Sequence, residues 1–252
     1  VSVFNADGGF VSDFLFSKAR ILSEKPEIPG LPSSYGEGKT LELKYIDKTK
    51  LTLCLYYTVF EENDMITRSV RICNHSKEAV YLTKAYSACL DMDDDGYEML
   101  TLHGSWGRER QMDRRPIGYG KTSVGSIRGE SSHQEHPFMA WMKSSSTQTA
   151  GEVYAMHFIY SGNFIAQLEK SQFDSIRAVM GIHPADFSWK LESELGGPFP
   201  GDDMRRIQRA CQEDRSGSAS RTAEIALDGE HQGAPQRGGA PRYPVREYDN
   251  GR

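Results

Sequence analysis

Apolar and polar residues alternate at period two through most of the first 193 residues, in short runs separated by turn residues. In Leu51–Phe60 the side chains of Leu51, Leu53, Leu55, Tyr57 and Val59 share one face, the signature of a half-buried strand. The preceding run, Leu41–Tyr45, is separated from it by Asp47-Lys48-Thr49-Lys50, so the two read as a hairpin. Met65–Ile72 places Ile66, Val70 and Ile72 on one face, with Arg68 intruding, and Asn74-His75-Ser76-Lys77 follows as a turn. Phe10–Ile21 alternates up to a loop carrying Pro26, Pro29, Gly30 and Pro32, whose prolines cannot feed a regular ladder. Ala79–Leu90 reads as one long strand or as two with a bulge. Gly151–Ser161, Phe164–Glu169, Ser175–Ile182 and Phe187–Glu192 continue the meander. No convincing stretch of helical period intervenes. The expected fold is therefore all-β, an antiparallel β-sandwich over residues 1–193.

The pattern stops after Glu194. Residues 196–252 hold 14 Gly or Pro and 18 charged residues against about eight large apolar ones. So little apolar surface cannot offset the ordering entropy of the chain, and the 194–252 tail is expected to be disordered, with one marginal helical stretch at Asp202–Cys211.

Charge and cysteine content narrow the function classes. A net charge of −5 lacks the basic footprint of a nucleic-acid partner, and no apolar run reaches the ~18 residues of a membrane span. Cys54, Cys73, Cys89 and Cys211 show no metal-ligand spacing, and the first three lie in strand runs as expected small buried hydrophobes. With no charged-then-apolar leader at Val1, a cytoplasmic setting is expected, and the chain reads as starting within a longer protein.

Local clusters of reactive residue types are weak as sites. Asp91, Asp93, Asp94 and Asp95 beside Gly96 lack the ligand spacing and flanking helices of a calcium loop, and read as a solvated acidic turn. His133 and His136 have no further ligand nearby in sequence, and Ser131-Ser132-His133 has no nucleophile elbow around it. Glu61, Glu62 and Asp64 could supply the paired carboxylates of glycoside hydrolysis only if folding set them about 5–10 Å apart. Trp141 and Trp189 read as core or sheet-face aromatics, and Tyr160-Ser161-Gly162-Asn163-Phe164 as a hairpin turn with Gly and Asn at positive φ. No metal or cofactor is expected.

The richest segment is Gly104–Phe138. It gathers Trp106, Arg108, Arg110, Arg114, Arg115, Arg128, Ser132, His133 and Gln134, with Glu109 and His136, between strand-like runs. Guanidinium and imidazole donors are planar and directional, suited to carboxylates, backbone carbonyls or sugar hydroxyls. The segment therefore reads as a polar interface, a ligand-facing surface, or an internal network closing one end of the sandwich. Regular alternation would point Arg108 and Arg110 the same way, Arg114-Arg115-Pro116 would turn the chain, and the whole would form one connected cluster.

Gly-Ser-Trp-Gly-Arg-Glu-Arg at 104–110 and Arg-Gly-Glu-Ser-Ser-His-Gln-Glu-His-Pro-Phe at 128–138 stand in collinear order with four other motifs. These are Tyr-Thr-Val-Phe-Glu-Glu-Asn-Asp-Met-Ile-Thr-Arg-Ser at 57–69, Gly-Glu-Val-Tyr at 151–154, Tyr-Ser-Gly-Asn-Phe at 160–164 and Asp-Phe-Ser-Trp-Lys-Leu at 186–191. Together they resemble the N-terminal β-sandwich domain (a supersandwich) of the α-galactosidases of glycoside hydrolase family 36. The resemblance implies a parent enzyme that cleaves terminal α-1,6-linked galactose from raffinose-type sugars with retention. It also implies partners: α-galactosides, a catalytic (β/α)₈ barrel, and neighbouring subunits of a homo-oligomer. Both catalytic aspartates of the family lie on barrel strands downstream, and no residue here matches them, so no catalytic residue is assigned and the chain alone is expected to be inactive. The family's barrel continuation is not found after Glu192, which suggests that the tail is out-of-frame or unrelated translation. The runner-up is a free-standing carbohydrate-binding module; a purely structural assembly domain is the third reading.

Overall fold

The computed structural model describes residues 1–28, 33–63, 65–147, 149–185 and 189–193, and the backbone of 224–228. Its strands in chain order begin with β1 (Ser2–Phe4), β2 (Leu15–Leu22), β3 (Lys39–Ile46), β4 (Leu51–Phe60) and β5 (Met65–Asn74). Next come β6 (Val80–Lys84), β7 (Tyr86–Asp93), β8 (Tyr97–Ser105), β9 (Arg108–Pro116), β10 (Gly120–Ser126) and β11 (Glu135–Lys143). The last are β12 (Val153–Ile159), β13 (Phe164–Lys170), β14 (Ser175–Ile182), β15 (Trp189–Leu191) and β16 (Glu224–Asp228). A nine-stranded sheet, ordered β2-β3-β4-β5-β16-β12-β11-β8-β9, accompanies a four-stranded sheet β10-β13-β14-β7 and a three-stranded sheet β1-β6-β15. Every pairing between these strands is antiparallel. The all-β sandwich read from the alternation is the fold.

Each small sheet closes its own core against the large one. Met99, Met139, Trp141, Met156 and Phe158 of the large sheet meet Val124, Ala166, Leu168, Ile176, Ala178 and Met180 of the four-stranded sheet. Leu51, Val70 and Ile72 meet Val3, Val80, Leu82 and Leu191 of the three-stranded sheet. Each large side chain buried in this way stabilises the fold by about 1.5–3 kcal/mol. Trp141 is fully buried as expected, stacks on Tyr154 with ring centroids 5.8 Å apart, and donates its indole N–H to Met92 Sδ.

Ala79–Leu90 is two strands, in different sheets. The chain leaves the three-stranded sheet after Lys84 and enters the four-stranded sheet at Tyr86. Gly181 makes room for that entry, because a Cβ there would stand 2.7 Å from Tyr86 Cα and 2.8 Å from the Ser87 nitrogen. Arg68, an intruder in the sequence pattern, donates to the carbonyl of Ser87 from beneath the switch and lies under the Tyr57 ring. It is buried because it caps a backbone group that changes sheets.

Several local expectations are corrected or refined. The strand expected over Phe10–Ile21 is regular only from Leu15, and it is an edge strand exposed on both faces except at its last residue. The Tyr160–Phe164 loop joins β12 of one sheet to β13 of another, so it is no hairpin, and neither Gly162 nor Asn163 has positive φ. A Cβ at Gly162 would meet the Tyr160 ring at 2.5 Å, so a larger residue there would have to push that side chain aside. The acidic turn is exposed at Asp91, Asp93 and Asp95, as expected, and is ion-paired as well: Asp91 takes a bidentate fork from Arg177, Asp94 pairs with Lys170 and accepts the Gly96 N–H, and Asp95 pairs with Lys143. The Arg177 fork holds the Asp91 carboxyl below its ordinary pKa. Cys54 and Cys73 are buried, but Cys89 is exposed on β7. Glu61 and Glu62 lie exposed in a short 3₁₀ turn, whereas Asp64 and Cys211 lie outside the described residues. Within the tail expected to be disordered, Glu224–Asp228 forms a strand; the Asp202–Cys211 stretch lies outside the described residues.

Candidate functional site

The Trp-Gly-Arg-Glu-Arg motif forms the hairpin between β8 and β9, the outer edge of the large sheet. Gly107, at φ 78°, closes a two-residue turn that few other residues could make, and puts Trp106 at the tip with 89% of its surface exposed. Polar side chains tie the tip down. Glu109 Oε1 accepts the Gly107 N–H at 2.9 Å, and Arg108 Nε donates to Ser105 Oγ at 2.8 Å. The turn amides around Glu109, with His133 nearby, hold its carboxyl below the ordinary value.

The alternation expected for Arg108 and Arg110 is broken by a bulge. Ser105 pairs with Arg108 and His103 with Gln111, so Glu109 and Arg110 together oppose Gly104, and Arg110 takes φ 56°. Gly104 is where three segments converge: a Cβ would come within 2.7 Å of Arg108 O, 2.9 Å of Glu109 Cα and 3.0 Å of His133 O. Its N–H donates to Gln134 O at 3.3 Å, and Ser132 Oγ accepts the Gln134 N–H at 3.2 Å. The structure thus brings Trp106, Arg108, Arg110, Ser132, His133 and Gln134 together at one end of the edge.

The remaining cations stand apart. Arg114 and Arg115 do not turn the chain; they continue β9, placing Arg115 roughly 23 Å from Arg108 at the rise of an extended strand. Arg114 is clamped on Glu98 and on the carbonyls of Lys143 and Ser146, a structural role. Arg115 leans on Asp113 and the Ser123 carbonyl. Arg128 enters the loop that Gly129 anchors to Asn163 Oδ1 at 2.6 Å. Among the described residues, the guanidinium groups of Arg110 and Arg128 have no hydrogen-bond or ion-pair partner.

Sequence reading named His136 but missed its histidine neighbours at this end, His103 and His157. His103 Nε2 lies 2.7 Å from Thr101 Oγ1, and its Nδ1 lies 2.8 Å from Glu135 Oε2, near enough for an ion pair though not aligned as a hydrogen bond. His136 and His157 lie against each other with ring centroids 5.4 Å apart and planes tilted by 31°, and Phe138, the register partner of His157, leans on the second ring. His157 keeps an edge open to solvent, yet burial of the ring, then the neighbouring His136 and Arg110, lowers its pKa. Burial, then Arg110, lowers that of His136. The two imidazoles are therefore neutral near pH 7, each a donor and an acceptor suited to hydroxyl or amide partners. The signal lay in imidazoles placed on neighbouring β runs, which only pairing register could bring together. No cluster of three or more His, Cys, Asp or Glu able to hold a metal occurs among the described residues.

The profile of the glycosyl hydrolase family 36 N-terminal domain matches residues 1–192, three quarters of the chain and nearly every strand described above. The chain belongs to glycoside hydrolase family 36. It is 41% identical over 191 residues to alpha-galactosidase AgaA of Geobacillus stearothermophilus, an alignment covering 74% of this chain and 26% of that enzyme. It is 38% identical over 197 residues to the bifunctional alpha-galactosidase/sucrose kinase AgaSK of Mediterraneibacter gnavus, covering 77% of this chain and 21% of the relative. The structure superimposes on crystalline AgaA in complex with stachyose with a TM-score of 0.79 and 35% identity, over 92% of this chain and 30% of AgaA. A crystal structure of the alpha-galactosidase of Lactobacillus brevis superimposes with a TM-score of 0.77 and 29% identity, over 90% and 28% of the two chains. The chain thus spans about a quarter of the length of its curated relatives, and in family 36 terms that quarter is the N-terminal domain.

Proposed function

We propose that this domain serves a retaining α-galactosidase as its assembly surface, with the Trp106 end of the β8–β9 edge docking against the catalytic barrel or a neighbouring subunit of a homo-oligomer. One observation carries the reading: a tip braced at Gly104 holds Trp106 almost wholly exposed beside the unpartnered Arg110. An isolated domain gains nothing by exposing an indole on so constrained a turn, whereas exposed aromatics with adjacent Arg are typical interface anchors. The substrates of the whole enzyme are then terminal α-galactosides such as the raffinose-type sugars. A reducing, cytoplasmic setting belongs to the same proposal, supported by the buried Cys54, whose burial raises the thiol pKa and keeps it unreactive. The carbohydrate-module alternative is less well supported, because the four most exposed aromatics among the described residues, Tyr35, Trp106, Tyr119 and Phe173, lie on four separate loops rather than along one strand face.

A chimera tests the proposal. Residues 1–192 replace the aligned segment of AgaA, and hydrolysis of an aryl α-galactoside and the size of the assembly are measured. The chimera should retain activity, and Trp106→Ala with Arg110→Ala should lower activity or dissociate the assembly while leaving circular dichroism unchanged. A variant chimera as active and as large as its parent would overturn the assembly role. Galactoside binding by the 252-residue chain alone, seen by calorimetry, would favour the module.

A further inference from the structure

The large sheet is continuous only because of one strand from outside the family match. Every other strand in it comes from residues 1–192, the extent of that match. Yet among the described residues β5 and β12 are joined through β16 alone: Glu224 to Asp228 pair with Ser69 to Met65 on one side, and with Ile159 to Ala155 on the other. Without this strand the sheet order falls into β2-β3-β4-β5 and β12-β11-β8-β9, two separate four-stranded pieces.

The walls of this slot are built for occupation. Thr67, Arg68 and Ser69 on one side and Met156 and Phe158 on the other are all buried. An empty slot would leave the inward backbone N–H and C=O groups of both walls unpaired beside buried side chains, each at a penalty of about 1–3 kcal/mol.

We propose that the gap between Met65–Ser69 and Ala155–Ile159 is a strand-acceptor slot that takes an extended segment by its backbone, and that Glu224–Asp228 of this chain is its occupant. The domain is then complete only with a strand supplied more than thirty residues after the matched boundary, and a fragment cut near residue 193 lacks its central strand. Because five ladder positions on each side do the recognition, the slot tolerates changes of side chain that keep β-propensity, but not the loss of a backbone donor.

Hydrogen exchange of the full 252-residue chain, read by mass spectrometry over both walls, tests this. Ala226→Pro should remove amide protection at 65–69 and at 155–159 together, by tenfold or more in exchange rate, and a synthetic peptide of residues 221–231 in excess should restore it. Ile225→Val with Leu227→Val should leave both walls as protected as the unchanged chain. Walls that stay protected in Ala226→Pro, that respond singly, or that the peptide does not rescue would overturn the assignment. Should the proline variant fail to fold, the chain carrying Thr67→Cys and Ala226→Cys decides: these positions face each other in register, and directly opposed strand positions fall within disulfide reach. An intramolecular 67–226 disulfide is expected on oxidation. Its absence under conditions where intact folded chain is recovered would equally overturn the proposal.

Discussion

Replacing Gly104 with alanine puts the docking end under direct test. Gly104 is on β8, and an added Cβ meets two backbone atoms of β9 at 2.7 and 2.9 Å and a third backbone atom, His133 O, at 3.0 Å. None of these is the end of a flexible side chain, so relief requires β9 or the His133 loop to move. Overpacking of this kind costs about 1–3 kcal/mol, and the β-propensity gained on leaving glycine returns about 0.5–1 kcal/mol, for a net loss of up to about 2.5 kcal/mol. In a domain of this size 1 kcal/mol lowers Tm by roughly 2–4 °C, so a drop of up to about 10 °C is expected. Gly118→Ala is the matched control: a Cβ there meets nothing within 4 Å and its φ is not positive, so Tm should hold or rise slightly. Scanning calorimetry gives the Tm values, and hydrogen exchange localises the damage to 104–111 and 131–135. Equal Tm for the two variants, or loosening away from this end, would show that Gly104 does not brace the Trp106 hairpin.

Three further outcomes are expected. Trp141→Ala should lower stability by about 3–5 kcal/mol, read by urea denaturation, because it empties a fully buried site and removes the Tyr154 stack; a change under 1 kcal/mol would contradict the assigned core. His136 and His157 have lowered pKa values in the fold, so below the unfolded value near 6.5 the unfolded chain binds more protons, and stability should fall as pH drops from about 6.5 toward the folded values. Arg110→Gln should move both imidazole titrations upward by NMR, though not to the unfolded value, since burial is the larger cause; unmoved titrations would place Arg110 elsewhere. The purified chain should hydrolyse an aryl α-galactoside no faster than a heat-treated control, and clear turnover would mean that catalytic groups were overlooked.

What the sequence disclosed and what it hid divide along a physical line. Period-two alternation reports which side of a strand is dry, so the strands from Lys39 to Asn74 and from Val153 to Ile182 were legible almost to the residue. Alternation carries no information about which sheet a strand joins. Ala79–Leu90 therefore read as one long strand or as two with a bulge, with no sign that it changes sheets at Ala85, and Arg68, which secures that change through the Ser87 carbonyl, looked like a misplaced charge. The candidate site follows the same rule. A motif contiguous in sequence gave away Trp106, Arg108, Arg110 and His133, but it also drew in Arg114 and Arg115, which a straight strand carries away to a different set of partners. His157 is distant in sequence and reaches His136 only because β11 and β12 pair in one register. β16 is the extreme case. A glycine- and charge-rich tail has no apolar reason to order, and a five-residue segment of it finds one only because residues some 70 and 155 positions earlier leave a strand-wide gap with two rows of backbone groups to satisfy. Composition measures what a segment can bury by itself; it is silent about a vacancy that the rest of the fold has prepared.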